Sequence, residues 1–141
     1  MNARVLRGFD YGTTALGVAV GAERTGTARG LTATKAYAGK PDWAALTRVI
    51  EEWHPALLVV GLPLNMDDTE HEVTQAARRF GNQLAGRYNL PVETIDERLT
   101  SIEAEGILAE TGRTRPTKTD VDKLAAELIL QTWLDERAAG R

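Results

Sequence analysis

The sequence predicts an α/β fold, with a mixed five-stranded sheet carrying helices on both faces. Two observations predict it. Near the N-terminus, three apolar segments follow one another with short connections, which favour antiparallel neighbours. Further along, apolar segments alternate with helix-length amphipathic segments, and right-handed crossovers make strands joined in this way parallel neighbours. For 141 residues we expect one domain, spanning 1–141.

The first three predicted strands form an antiparallel meander. Residues 4–10, RVLRGFD, make a short apolar segment that ends at an acid. Residues 16–23 are apolar and rich in valine, and residues 26–37 are rich in threonine and alternate in polarity. The turns between them are too short for a parallel crossover.

The rest of the chain alternates between helices and strands. The run ALLVVGL is continuously apolar, which is typical of a strand buried on both faces. The helices are predicted from apolar residues at helical spacing and from Pro or capping residues at their ends. In chain order, these elements are predicted at 41–53 (helix), 56–62 (strand), 70–88 (helix), 91–97 (strand), 100–112 (helix) and 119–139 (helix).

Composition excludes several classes of site. The chain has no Cys, so it holds no disulfide, thiolate nucleophile or Cys-based metal site. Its one Ser and two His residues argue against a serine nucleophile and a His-rich zinc site. No apolar run approaches the roughly 20 residues that span a bilayer, and no signal peptide is recognisable, so we expect a cytoplasmic protein without membrane contact.

Acidic side chains end two of the predicted strands. Asp10 ends the first strand, and Asp96 and Glu97 end the last one. The polar loop GLPLN follows the strand between them. In open α/β sheets, ligand sites lie beyond the carboxyl ends of the parallel strands. These three stretches are therefore expected to meet at one side of the sheet.

A further acid is predicted to join them from the last helix. Asp122 opens a helical face that should pack on the sheet, so it is expected to point inward. Asp120 points elsewhere and, with Thr119, is the candidate for capping. Taken alone, Asp122 would be an acid in the first helical turn, where the helix dipole favours it. The shared face comprises Asp122, Ala125, Ala126, Ile129 and Trp133.

Asp10, Glu97 and Asp122 would together form a repulsive cluster that raises the pKa of at least one member. A hard divalent cation relieves this repulsion, and Mg²⁺ prefers oxygen ligands. The three acids are thus predicted to hold a metal. Asp10 followed by a tight Gly-Thr turn would, by itself, equally suit an ATP-phosphate loop or a simple turn.

The net charge of −3 and the sequence pI of about 5.4 argue weakly against a nucleic-acid partner. The stretch GRTRPTKTDVDK (112–123) is an exception, since it concentrates basic side chains. Such a stretch is either a solvated loop or a phosphate-binding patch. If the stretch binds phosphates, removing the charges of Arg113 and Arg115 should weaken nucleic-acid binding and reduce its dependence on salt concentration.

Four motifs occur in the order and spacing of one family. They are FDYGTTALGVAV, VVGLPLNMDDTE, DERLTSIEA and VDKLAAELILQTWLD, and together they extend over nearly the whole chain. The chain resembles the YqgF/RuvX family, whose members are called pre-16S rRNA nucleases or Holliday-junction-resolvase-like proteins. It departs from the family pattern at Asp68, where Gly is usual, and at Thr14-Ala15, where a basic residue is common.

The resemblance implies an RNase H-like fold and a nuclease that depends on Mg²⁺ or Mn²⁺ and matures the 5′ end of pre-16S rRNA. It implies that Asp10, Glu97 and Asp122 are catalytic residues and metal ligands, and that Asp96 supports them. Nucleic acid would be the partner, and ribosomal assembly particles are a further expected partner. The protein is expected to be a monomer or a weak homodimer. Candidate substrate-binding residues are Gly12, Thr13, Asn65, Arg98, Arg113, Arg115 and Lys118.

Three alternatives stay open at this point. The first is a Holliday-junction-resolvase-like DNA endonuclease, which would act as a dimer on branched DNA. The second is a non-catalytic nucleic-acid-binding factor that assists ribosome assembly. The third is a nucleotide-binding module similar to those of actin- and Hsp70-like ATPases. The segment FDYGTT resembles the first phosphate loop of those proteins. The sequence leaves open RNA or DNA as substrate, endo- or exonucleolytic cutting, and one or two metal ions.

Overall fold

The computed structural model describes residues 4–52, 54–63, 72–97, 100–110 and 117–140, with residues 100–102 described by their backbone alone. The elements follow the predicted order, with one additional short strand. The elements are β1 (Val5–Asp10), β2 (Ala15–Ala22), β3 (Thr27–Tyr37), β4 (Lys40–Pro41), α1 (Trp43–Glu52), β5 (Leu57–Pro63), α2 (Glu72–Tyr88), β6 (Val92–Glu97), α3 (Thr100–Glu110) and α4 (Lys118–Ala138).

The strands form one mixed sheet in the order β4-β3-β2-β1-β5-β6. The meander β1-β2-β3 is antiparallel, whereas β1 pairs with β5, and β5 with β6, in parallel. This arrangement confirms the predicted topology. It also brings the carboxyl ends of β1, β5 and β6 to the same side of the sheet, where sites of α/β proteins lie.

The strand count of five was wrong, because β4 adds a sixth strand. Its two residues pair with Ala36 and Tyr37 of β3. The reversal between the strands passes through Ala38 and Gly39, both with positive φ. Two residues are too few to show any periodicity, so the sequence pattern does not reveal such a strand. The predicted helix accordingly begins two residues later, at Trp43.

Two apolar cores sandwich the sheet. On one face α1 and α2 bury side chains such as Leu46 and Phe80 against Phe9 and Val60. On the other face α4 packs Ile129 and other apolar residues against the sheet. Both faces of β5 are therefore covered, which explains its continuous apolar sequence. No helix among the described residues is long and apolar enough to cross a membrane.

Glycines bring α4 unusually close to the sheet. At each of five sheet positions, a Cβ atom would lie within 2.9 Å of an α4 atom. The tightest case is Gly17, where a Cβ would lie 2.1 Å from the carbonyl oxygen of Asp122. The sheet residues concerned are Gly8, Gly17, Gly21, Gly30 and Gly61.

The start of α4 differs from the sequence prediction. Thr117, not Thr119, is the N-cap, and its hydroxyl accepts a hydrogen bond of 3.1 Å from the Asp120 amide. The Asp120 carboxylate accepts a hydrogen bond of 3.2 Å from the Thr117 amide in return. This reciprocal capping box satisfies two amides. The helix therefore begins at Lys118, and that side chain becomes part of its first turn.

Candidate metal-binding site

Asp10 and Glu97 lie on the face of the sheet that α4 covers. In β1, Leu6 belongs to the core beneath α4, and alternation places Asp10 on the same face. In β6, Ile95 packs against that core, which places Glu97 there as well. The indole of Trp133 in α4 also donates a 3.1 Å hydrogen bond to Glu93, two residues before Ile95.

The strand between these two acids, β5, has a glycine at the position that pairs with Asp10. Gly61 of β5 pairs with Asp10 on one side and with Ile95 on the other. Glu97 pairs with Pro63, two residues further along β5. The space above Gly61 is occupied by Ile129 of α4, since a Cβ at Gly61 would lie 2.6 Å from its Cδ1. The two acids therefore flank β5 just beyond the apolar core.

Asp122 approaches the same place from the N-terminal end of α4. Gly17 of β2 is the register partner of Asp10, and a Cβ at Gly17 would lie 2.1 Å from the carbonyl oxygen of Asp122. Asp122 is 6% exposed, as its position on the predicted inward face requires. The prediction that Asp122 points inward is confirmed.

Asp10 is influenced electrostatically by the other two acids. The pKa of Asp10 is raised from 3.8 to about 7, first by burial and then by the negative charges of Glu97 and Asp122. The positive charge of Lys118 acts in the opposite direction. Burial and the two neighbouring acids thus make the charged form of Asp10 unfavourable.

Lys118 is a cation in direct contact with this group. Its Nζ lies 2.6 Å from Oδ1 and 2.8 Å from Oδ2 of Asp122, so the ammonium bridges both carboxylate oxygens. The sequence placed Lys118 in a basic loop, among the substrate-binding candidates. The structure places it in the first helical turn, four residues before its partner, where helical side chains meet.

The donor set suits a hard cation, because it consists of carboxylate oxygens alone. Within the described ranges, however, no three Asp, Glu or His side chains are already arranged to hold a metal ion. Lys118 instead occupies the oxygens of Asp122 that an ion would use. The residues therefore fit a divalent cation chemically, and binding requires their side chains to rearrange.

The other candidate residues occupy different surroundings. Asp96 is exposed, and alternation along β6 directs it to the face opposite Glu97. Gly12 is half-buried in the tight β1–β2 turn, where a Cβ would lie 2.6 Å from the Ala15 carbonyl oxygen. Thr13 is exposed, and its carbonyl accepts a 2.9 Å hydrogen bond from Gly39. The remaining substrate-binding candidates lie outside the described residues, namely Asn65, Arg98, Arg113 and Arg115.

The raised pKa of Asp10 predicts a pH-dependent stability of the metal-free protein. A carboxyl group whose pKa is higher in the folded state binds its proton more tightly there, so its contribution falls as pH rises from about 4 to about 7. The loss amounts to at most about 4 kcal/mol. Urea unfolding in EDTA at several pH values should show this decline in the wild type. Asp10→Asn should reduce the decline, and identical slopes for the two proteins would contradict the assignment.

Comparison with known proteins identifies the family. A family model described as "RuvX: Holliday junction resolvase" matches residues 4–136. A protein of Aeromonas hydrophila subsp. hydrophila named "Putative pre-16S rRNA nuclease" is 51% identical over 138 residues, which cover 97% of this chain and 99% of that protein. One of the same name from Azotobacter vinelandii is 52% identical over 138 residues, or 97% of each chain.

Solved structures support the fold. The chain is similar to Thermus thermophilus RuvC with a TM-score of 0.54 at 17% identity, over 96% of both chains. It is also similar to the Fowlpox virus resolvase in a complex with Holliday junction DNA, with a TM-score of 0.51 at 12% identity, over 94% of this chain and 98% of that one. These likenesses concern the fold, and they confirm the predicted RNase H-like class. Since the family model extends over most of the chain and the relatives are about half identical to it, the chain belongs to the RuvX family.

Proposed function

We propose that this chain is a divalent-metal-dependent nuclease that hydrolyses phosphodiester bonds in pre-16S rRNA. The observation that carries the proposal is the meeting of Asp10, Glu97 and Asp122, from three separate elements, on one face of the sheet. The name of the relatives supports the RNA substrate. We further propose that residues 1–141 act as one nuclease domain in the cytoplasm.

In this proposal, Asp10, Glu97 and Asp122 supply the oxygen ligands for Mg²⁺ or Mn²⁺. Once bound, the ion would act as a Lewis acid toward the phosphodiester. The apolar core next to the acids would limit the access of water to the site from that side, because the buried Ile129 packs directly on Gly61. Backbone and cationic groups would bind the phosphates of the substrate. We assign this role to Gly12 and Thr13 beside Asp10, and to the candidates outside the described residues, Asn65, Arg98, Arg113 and Arg115.

A cleavage assay with and without metal tests the proposal. Pure protein is incubated with pre-16S RNA, single-stranded RNA, single-stranded DNA or a four-way DNA junction, in Mg²⁺, Mn²⁺ or EDTA. We expect cleavage of pre-16S RNA that falls to background in EDTA and returns when Mn²⁺ is added in excess. The reason is that carboxylate side chains without a metal ion supply no Lewis acid. Equal cleavage in EDTA and in metal would refute the metal requirement.

The same assay addresses a second function. The family description names a Holliday junction resolvase, so branched DNA is the competing substrate. Faster cleavage of the junction than of pre-16S RNA, under matched metal and salt, would favour that function. Binding of either nucleic acid without cleavage of any substrate would favour a non-catalytic assembly factor. Binding of ATP with no cleavage would favour the nucleotide-binding alternative.

A further inference from the structure

Lys118 occupies one of the proposed metal ligands. Its ammonium lies within hydrogen-bond distance of both oxygens of Asp122, at 2.6 and 2.8 Å. Both oxygens of this carboxylate are therefore in contact with the same positive charge. A divalent ion that uses Asp122 must therefore share or displace the lysine.

The two partners differ in how freely they can move. The side chain of Asp122 is 8% exposed, whereas that of Lys118 is 69% exposed. Asp122 belongs to the buried face of α4, beside the sheet at Gly17. Lys118 lies at the first helical position, next to solvent, and its long side chain can leave the pair and be hydrated. The lysine is thus the mobile member of the pair.

Charge explains why the pair forms without a metal. Glu97 and Asp122 both act as negative charges on Asp10, whereas the positive charge of Lys118 acts on Asp10 and pairs with Asp122. An ammonium neutralises one charge and binds through directed hydrogen bonds. A divalent ion carries twice that charge and accepts ligands from several carboxylates at once, so it competes effectively for the same oxygens.

We propose that Lys118 is a built-in counterion that holds Asp122 in the metal-free protein and is displaced when the divalent ion binds. The inference rests on the proposed metal site. Its consequence is a lowered metal affinity, because each binding event must break the ion pair. A second consequence follows from charge: the displaced ammonium remains at the site and attracts the phosphates of the substrate. Lys118 therefore weakens metal binding and strengthens nucleic-acid binding.

Calorimetric titration with Mn²⁺ tests the first consequence. Lys118→Met should bind Mn²⁺ about 10-fold more tightly than the wild type, since a charge-assisted pair no longer has to break. Lys118→Arg keeps the charge and should stay close to the wild type. Lys123→Met is the matched control, because it removes one positive charge from the same helix without removing the contact to Asp122. Its affinity should change less than about twofold, as expected for a charge that acts on the site only at longer range and through salt.

A binding assay with RNA, performed with metal bound, tests the second consequence. Lys118→Met should bind RNA several-fold more weakly while its Mn²⁺ affinity rises. A merely structural lysine would not shift the two affinities in opposite directions. Circular dichroism and thermal unfolding verify that each variant is folded.

The outcomes separate this inference from the proposed function. Unchanged or weaker Mn²⁺ binding by folded Lys118→Met, with wild-type binding that is lost in Asp10→Asn, overturns the counterion role and leaves the metal site in place. Mn²⁺ binding that is equal in wild type and Asp10→Asn overturns the metal site, and the counterion role with it. Tighter binding by Lys118→Met that Lys123→Met reproduces would reduce the effect to general charge and so overturn the specific role of the pair.

Discussion

Asp10→Asn is expected to lower the rate of phosphodiester cleavage by more than about 100-fold, because it removes a charged ligand from the proposed metal site. The amide has nearly the same shape, so the strand and its pairing with Gly17 and Gly61 should persist. The protein should also become more stable at neutral pH without metal, since an acid with a pKa of about 7 is costly to ionise there. Lost activity together with gained stability is the signature of a functional acid.

Asp96→Asn is the matched control for this prediction. Asp96 immediately precedes Glu97, but it is exposed and faces the other side of β6. Its substitution should change the cleavage rate only a few-fold, whereas Glu97→Gln should match Asp10→Asn. Initial rates on pre-16S RNA at saturating Mn²⁺, with unfolding curves for each variant, provide the measurement. Equal rates for wild type and Asp10→Asn would show that the site assignment is wrong.

Gly17→Ala is expected to have the largest effect on stability, lowering the free energy of unfolding by about 3 kcal/mol or more. The new Cβ would lie 2.1 Å from the carbonyl oxygen of Asp122, which is a backbone atom and cannot rotate away. Either α4 or β2 must therefore shift. Because Gly17 pairs with Asp10, this shift separates Asp122 from Asp10 and should also weaken Mn²⁺ binding.

Gly86→Ala provides the comparison for Gly17→Ala. Gly86 is exposed within α2, and a Cβ there would meet no atom within 4 Å. Alanine in an open helical position should stabilise the protein by about 0.5–1 kcal/mol, because it restricts the unfolded chain. Urea unfolding of both variants gives the two values. A Gly17→Ala variant as stable as Gly86→Ala would contradict the close packing of α4 on the sheet.

The sequence predicts the large elements well because each carries a local signal. The sequence of β5 is continuously apolar because both faces of this strand are buried. The apolar residues of α4 recur at helical spacing because one side of this helix is buried. Local signals fail where an element or a contact involves too few residues to form a pattern. The cap at Thr117 and the strand Lys40–Pro41 depend on a turn of the backbone that residue types alone do not specify.

A buried arginine is the clearest case of a feature that sequence reasoning missed. Arg7 lies within the apolar segment of β1 and is completely buried. Its Nε donates to the carbonyl oxygen of Val49 and its Nη1 to that of Leu6, both at 3.3 Å. Burial lowers the pKa of this guanidinium. The alternation of β1 directs Arg7 toward α1, and the carbonyl that receives it is 42 residues away in the chain.

The sequence by itself determined which acids form the candidate site. Asp10 and Glu97 end strands that its pattern makes parallel, and Asp122 opens the inward face of the last helix, so spacing and topology suffice to gather them. The tertiary structure alone decided how they interact. Glycines let α4 approach until its N-terminal end lies beside Asp10, and the cap at Thr117 places Lys118 on the oxygens of Asp122. The raised pKa of Asp10 results from burial and from charges brought together by folding, which no local pattern encodes.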